Sequence, residues 1–547
     1  MGNTEKRRMA AVLLLCFITI LCSIHLVFAD TNDSYSIYYD GRSTGQHGYY
    51  IKGNAYLPVS MIGSYFQNNA VTVDTQNMRL ILNLSAMNIM MADDETTSFI
   101  KTHAGSVYVP LKKIDNTICF SLNVMQQFFH TSYNISGSSI RLKASDETVS
   151  SAKVGSTPIT AVSSLFAETK NTVTLPAGEQ IFIEEETANY YKISDFDGNI
   201  YYTEKKGITT ENVTLANVDF YAPRKTKYKQ QANEKINVAW QYVSEVTPDA
   251  PAKTNGIDIM APTWFRLIVE GGGAVTNSGD KGYSDLCHQR GFMVWATITN
   301  NMSETGSTNF TTKMFANDSI QKKAIAQYLF YSCLYDVDGI NIDFEDVKDA
   351  DADGLTAFTK ELRYYTEKQG LTLSIDTLVP KTWTIEYDRD ALAKHVDYIA
   401  VMSYDEHYAG STIPGSVSSL PFVIDAIEGC LEEGVPPEKL LMGVPLYTRV
   451  WVVDGNGKII SNTAVTMTRM NEILLENNLT PTYLSKEMQN YVEYQTSSGT
   501  AKVWIEDSTS ITNRLSLVST YDIAGSACWQ FSQGTSEIWQ LFDRYLH

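Results

Sequence analysis

Cysteine is scarce: the chain has 7 in 547 residues. Cys16 and Cys22 lie within the first 29 residues, and Cys119, Cys287, Cys333, Cys430 and Cys528 are widely spaced. No C-x-x-C pair occurs, which argues against a disulfide framework and a structural zinc site. Histidine is equally thin, and His47, His103 and His130 have no ligand-like spacing, so no metal or other cofactor is expected. Positive charge is the minority, with 43 Lys and Arg against 62 Asp and Glu, a net charge of -19. A nucleic-acid partner needs a basic stripe and is therefore not expected. Long apolar runs are absent except for one, Met9 to Ala29, which follows Lys6, Arg7 and Arg8 and ends in Val27-Phe28-Ala29. Residues 1–29 read as a cleaved signal peptide or an uncleaved N-terminal membrane anchor. Either places the protein outside the cell or at the cell wall.

The remaining composition, 44% apolar and 19% charged, is that of a globular chain. Its texture changes near residue 230, within the polar stretch Arg224 to Lys235. Residues 35–147 contain a weak repeat. Tyr56-Leu57-Pro58-Val59, Tyr65-Phe66 and Met78 to Leu82 are answered by Tyr108-Val109-Pro110-Leu111, Phe128-Phe129 and Ser139 to Leu142. Each copy is expected to fold as strand, helix, strand. This unit resembles the copper-amine-oxidase N-terminal-like stalk module, a name that implies no copper here. Residues 152–209 hold short strand-like runs, Thr172–Leu175, Gln180–Ile183, Tyr190–Ile193 and Ile200–Tyr202, punctuated by turns. They resemble a bacterial Src-homology-3-like barrel, and both modules are expected to contact the cell wall.

From residue 230 to 547, apolar strands alternate with helical runs. Candidate strands are 236–243, 257–261, 292–299, 339–345, 371–377, 398–403, 440–445 and 525–529. Eight such strands predict an α/β fold, a (β/α)8 TIM barrel, with an insertion at 452–505 between strands seven and eight.

The most informative stretch is Asp338-Gly339-Ile340-Asn341-Ile342-Asp343-Phe344-Glu345. Alternation puts Ile340, Ile342 and Phe344 on one strand face and Asn341, Asp343 and Glu345 on the other. Polar groups stacked inside a packed barrel are costly. Close carboxylates repel, so one retains a proton and can act as an acid.

This stretch resembles the D-G-x-D-x-D-x-E signature of glycoside hydrolase family 18, the chitinase-like enzymes. Met402-Ser403-Tyr404-Asp405, Gly443 to Arg449, Trp504 to Asp507 and Trp529 match further family segments. Asn341 stands where the usual motif has Asp, a feature of the spore-cortex-lytic and germination branch. The resemblance implies a hydrolase of β-1,4-linked N-acetylglucosamine glycans, peptidoglycan or spore cortex before chitin, working by substrate-assisted retention. Glu345 would be the acid and base, Asp343 the orienting carboxylate, Asn341 its positioner, and Tyr404 the donor to the acetamido oxygen. Asp405, Met402, Trp529, Tyr447, Arg449 and Asp338 would bind the sugar. A non-catalytic glycan-binding protein and an endoglycosidase on N-glycans are the alternatives. Because every candidate lies beyond residue 337, the leading modules are expected to be dispensable for cleaving short oligosaccharides.

Overall fold

The computed structural model describes residues 33–144, 150–166, 171–210, 218–230, 234–244, 246–268, 272–300 and 310–547. The basic and apolar segment before residue 30 lies outside the described residues. Among them, no helix is long and apolar enough to cross a membrane.

The second half closes into a barrel of eight parallel strands. They are β1 (Ile236–Gln241), β2 (Ile259–Leu267), β3 (Met293–Thr299), β4 (Gly339–Asp343), β5 (Thr372–Thr377), β6 (Tyr398–Val401), β7 (Leu440–Pro445) and β8 (Gly525–Trp529). Each pairs with its sequence neighbour, and β1 pairs with β8 to close the ring. All eight expected strands are present. The second runs well past Ala261, because its end forms a hairpin with Val275–Asn277.

On β4, Ile340, Ile342 and Phe344 are fully buried among the outer helices. Gly339, Asn341 and Asp343 therefore face the barrel axis. A Cβ on Gly339 would lie 2.7 Å from the Trp295 ring and 2.8 Å from the Thr372 carbonyl oxygen. Trp295 stacks on Tyr398 at 5.5 Å and fills the barrel floor, so only glycine fits at 339.

The insertion is a five-stranded antiparallel sheet carrying the helix Met467–Glu476. It begins at Tyr447 rather than at 452, because Tyr447–Val453 is itself an inner strand pairing with Ile459–Thr466 and Thr500–Ile505.

Before the barrel lie a seven-stranded sheet built from residues 34–58 and 112–144, and a three-stranded sheet from 71–83 and 106–110. A second seven-stranded sheet spans 150–210 and contains all four expected runs. The internal repeat is shifted from its expected register. Strand Thr117–Ser121 leads into helix Leu122–Met125 as strand Asn54–Pro58 leads into the single turn Val59–Met61. Cys119, not Tyr108, is thus the counterpart of Tyr56. Phe66 and Phe129 then occupy equivalent places and stack at 4.7 Å. The shared Tyr-x-Pro pattern misleads because Pro58 and Pro110 both end strands of different roles.

The first module does not stand apart from the barrel. Phe99 stacks on Tyr365 at 4.0 Å, and Phe220 packs on Phe330 at 5.2 Å. The Tyr331 hydroxyl accepts from the Tyr108 amide at 2.9 Å, and Asn54 donates to Asp280 at 2.6 Å. One continuous hydrophobic core runs from Ile37 and Leu57 to Ile340 and Leu355. Helix Asp318–Leu334 is buried on nearly all sides because the barrel covers one face and the module another. The expectation of a dispensable module is therefore corrected: its removal would expose Phe330, Tyr331 and Tyr365 together.

All 8 tryptophans lie beyond residue 239, so tryptophan fluorescence reports the barrel half. Phe99→Ala removes a ring that is only 7% exposed and should destabilise the fold by about 3–5 kcal/mol. Urea unfolding followed by fluorescence checks this. An unmoved midpoint would mean that module and barrel unfold independently.

Candidate functional site

A cleft of about 460 Å³ opens at the C-terminal end of the strands, where barrel active sites are built. Among its lining residues are Asp343, Glu345, Asp376, Tyr404, Asp405 and Trp529. Met402 also lines it. The structure thus brings together six of the ten residues singled out from sequence, and the other four lie outside the lining.

Asp343 is 8% exposed, and its Oδ1 has no hydrogen-bond partner. Burial, and then the neighbouring Glu345, hold its pKa well above the usual carboxylate range. Burial, followed by the charges of Asp346 and Asp405, pushes Glu345 up to about 7. Its main chain is clamped by Asn300, which accepts from the Glu345 amide at 3.0 Å and donates to its carbonyl at 2.7 Å. Tyr404 is held as a neutral hydroxyl by burial and by Asp376, Asp343 and Glu345. Trp529 leans on Trp240, with ring centres 6.3 Å apart.

Asp405 sits at φ +57°, a left-handed conformation that aspartate tolerates better than most side chains. Tyr447 does not line the cleft; its hydroxyl donates to Asp405 Oδ1 at 2.5 Å and fixes that carboxylate. Arg449 also lies outside the lining. It donates to Asn462 at 2.7 Å and rests over Trp451, so it braces the insertion rather than reaching a sugar.

Two expectations are corrected. Asn341, 1% exposed, does not hydrogen-bond Asp343. Its Nδ2 donates to Asp376 Oδ1 at 2.9 Å, and its Oδ1 accepts from Trp240 Nε1 at 2.7 Å. Asp338 precedes β4 at the opposite end of the barrel. It accepts from the Val294 amide at 2.9 Å, pairs with His288 at 2.8 Å and with Lys225 at 3.3 Å. Burial opposes its ionisation, but these partners prevail and lower its pKa. It secures the barrel floor and cannot bind a sugar in the cleft.

Sequence reading missed Asp376, Asn300, Trp240 and Arg266. Asp376 alternates with Ile375 on an apolar strand as Asp343 does with Ile342, a signal that periodicity could have exposed. Arg266 extends from the end of β2, lines the cleft, and donates from Nε to Thr299 Oγ1 at 3.4 Å. Among the described residues it is the one cation in the lining, and no carboxylate pairs with it.

The loop carrying Tyr404 and Asp405 is pinned from behind. Arg514 and Glu506 form a fully buried ion pair, at 2.6 Å. Arg514 also donates to the Ser418 carbonyl, and Ser418 Oγ donates to the Ser403 carbonyl at 2.7 Å. Gln489 ties Glu506 to Ser416.

With this geometry in place, the chain's relatives can be compared. The sequence profile described as "Glycosyl hydrolases family 18" matches residues 200–534, and the chain belongs to that family. A Bacillus subtilis (strain 168) protein designated YdhD is 27% identical over 277 residues, covering 49% of this chain and 65% of that protein. The cortical fragment-lytic enzyme of the same organism is 25% identical over 252 residues, covering 45% of this chain and 58% of that enzyme. The chain thus spans less than two-thirds of either relative. The spore cortex-lytic enzyme SleL of Bacillus cereus shares the fold, with a TM-score of 0.51 at 21% identity over 62% of this chain and 79% of that one.

Glu345 ionises near 4.5 when unfolded and near 7 when folded. Its charge therefore destabilises the fold, a cost absent below pH 4.5, growing through the interval and complete above 7. Glu345→Gln should raise the melting temperature at pH 8 and leave it unchanged at pH 4. Scanning calorimetry at both values tests the sign; a variant less stable at pH 8 would contradict it.

Proposed function

We propose that this protein is a glycosidase that hydrolyses β-1,4-linked glycans at a 2-acetamido sugar, with peptidoglycan as its polymer. The observation that carries this reading is the pair of cleft carboxyls, buried Asp343 and half-buried Glu345, with no salt-bridge partner for either among the described residues. A carboxyl held protonated toward neutral pH is an acid ready to use. Glu345 protonates the leaving glycosidic oxygen, and the substrate's acetamido oxygen attacks the anomeric carbon. Asp343 orients the acetamido N–H and stabilises the positive charge that develops. The neutral Tyr404 hydroxyl donates to the acetamido oxygen, and Trp529 forms the apolar floor beneath the methyl group. Glu345, now ionised, then activates the water that opens the cyclic intermediate and regains its proton.

Family membership and the cortex-lytic names of the relatives support a wall glycan. Arg266 favours peptidoglycan over chitin. Chitin is uncharged, whereas peptidoglycan carries carboxylates on its lactyl ethers or stem peptides, and an unpaired guanidinium suits them. The basic and apolar segment before residue 30 fits export to that polymer. The Src-homology-3-like sheet is the module we assign to wall contact.

Glu345→Gln should lower kcat by about 10³-fold or more while leaving glycan affinity within about threefold. Product release and isothermal titration read the two separately, and near-wild-type turnover would overturn the reading. The alkaline limb of kcat/KM should fall near pH 7, where Glu345 loses its proton. De-acetylated glycan should not be cleaved, because it lacks the nucleophile. Arg266→Gln should raise KM for muropeptide-bearing glycan by about tenfold and leave KM for chito-oligosaccharides unchanged. Equal effects on both would remove the argument for peptidoglycan.

A further inference from the structure

We infer that Asp376 is a positioning residue of this site, a carboxyl on β5 that shares one proton with Asp343 and so supplies its missing hydrogen-bond donor. The inference rests on the roles of Glu345 and Asp343 proposed above.

Parallel pairing of β4 and β5 sets Asn341 opposite Ser374 and Ile342 opposite Ile375. One step further along both strands lie Asp343 and Asp376. Strand alternation turns both toward the barrel axis, and neighbouring strands are about 4.8 Å apart. Asp376 is 2% exposed and lines the same cleft. Asn341 Nδ2 donates to its Oδ1 at 2.9 Å, which fixes the carboxyl plane. Across the gap, Asp343 Oδ1 is buried without a donor.

Among the described residues, the groups facing Asp376 supply no positive charge. From β4 come Asp343, Glu345 and the neutral Asn341; from the end of β6 comes the Tyr404 hydroxyl; from β1 comes the neutral Trp240. Burial and the two carboxylates of β4 oppose its ionisation. Two adjacent buried carboxyls cannot both ionise, so the pair retains one proton. On Asp376 that proton points a neutral O–H at Asp343, whose carboxylate is then free to accept the acetamido N–H. The transfer is internal: Asp343 gives its proton, Asp376 takes it, and no other reactant is needed. Asn341, expected from sequence to hold Asp343 directly, acts on it through Asp376.

The test compares Asp376→Asn, which keeps a neutral donor, with Asp376→Leu, which has none. Both are measured as full chains by pH profiles on one soluble chito-oligosaccharide. Asp376→Leu leaves Asp343 without a donor, so Asp343 ionises less readily. The acid limb of kcat/KM should move up by about one pH unit and kcat should fall by about tenfold more than in Asp376→Asn. Equal losses in both variants with unmoved limbs, or no loss in either, would overturn the inference. If Asp376→Leu does not fold, infrared spectroscopy decides. In Glu345→Gln at neutral pH a protonated-carboxyl band should remain, and it should vanish in Glu345→Gln/Asp376→Asn; a band surviving in the double variant overturns the shared proton. Full turnover in Glu345→Gln alone would instead sink the underlying reading. An inactive Glu345→Gln beside an unperturbed Asp376→Leu would sink only the role of Asp376.

Discussion

Burying carboxyl groups without a countercharge is the constraint on which this molecule is organised. Asp343, Glu345 and Asp376 sit together at the mouth of a closed barrel, and each is pushed toward its protonated form. A flexible scaffold would relieve that repulsion by opening or admitting water. The barrel resists because its interior is filled from below by Trp295, Tyr398 and Trp240. Trp240 donates to Asn341, and Asn341 in turn donates to Asp376, orienting that carboxyl without neutralising it. The instability is local, and the hydrophobic packing around it keeps it in place.

Elsewhere the same chain gives its two buried arginines carboxylate partners. Arg514 and Glu506 are both buried, and they hydrogen-bond each other as well as Ser418, Ser510 and Gln489. Arg389 meets Glu433 at 2.7 Å and donates to the Leu378 carbonyl. These pairs join segments distant in sequence: Arg514 ties the helix before β8 to the loop after β6. Such pairs add little net stability but cost much when broken, so they fix geometry. The contrast separates two uses of burial. Paired charges locate the loops that carry Tyr404 and Asp405, and unpaired ones hold chemistry in reserve.

Legibility in the sequence followed the strength of the local pattern. The eight strands showed because apolar runs recur between helical segments, and the polar face of β4 showed because three chemistry-bearing residues alternate within eight positions. Asp376 and Arg266 are single residues on otherwise ordinary strands, and only closure of the barrel brings them to the cleft. Asn300 acts on the main chain of Glu345 from the end of β3, a contact that exists only across a pair of strands. Asp338 misled for the converse reason: it belongs to the motif in sequence but lies below the first residue of the strand, where its side chain meets His288. Tyr447 and Arg449 misled similarly, since the insertion begins with the strand that holds them.

The packing behind β4 joins these observations. Helices Asp318–Leu334 and Ala352–Gln369 flank the strand that leads to Glu345. Phe344, beside Glu345, stacks on Phe358 at 5.3 Å. The same two helices carry Phe330 and Tyr365, against which Phe220, on the short strand Phe220–Tyr221 paired to the leading module, and Phe99 of that module pack. The module-facing rings and the rings behind Glu345 thus sit on the same two helices and belong to one hydrophobic core. Apolar burial is the term available to oppose carboxylate repulsion, at about 25 cal/mol per Å². An added module enlarges that burial on the side of the barrel where the repulsion arises. The leading module is thus part of the packing that backs the strand leading to Glu345.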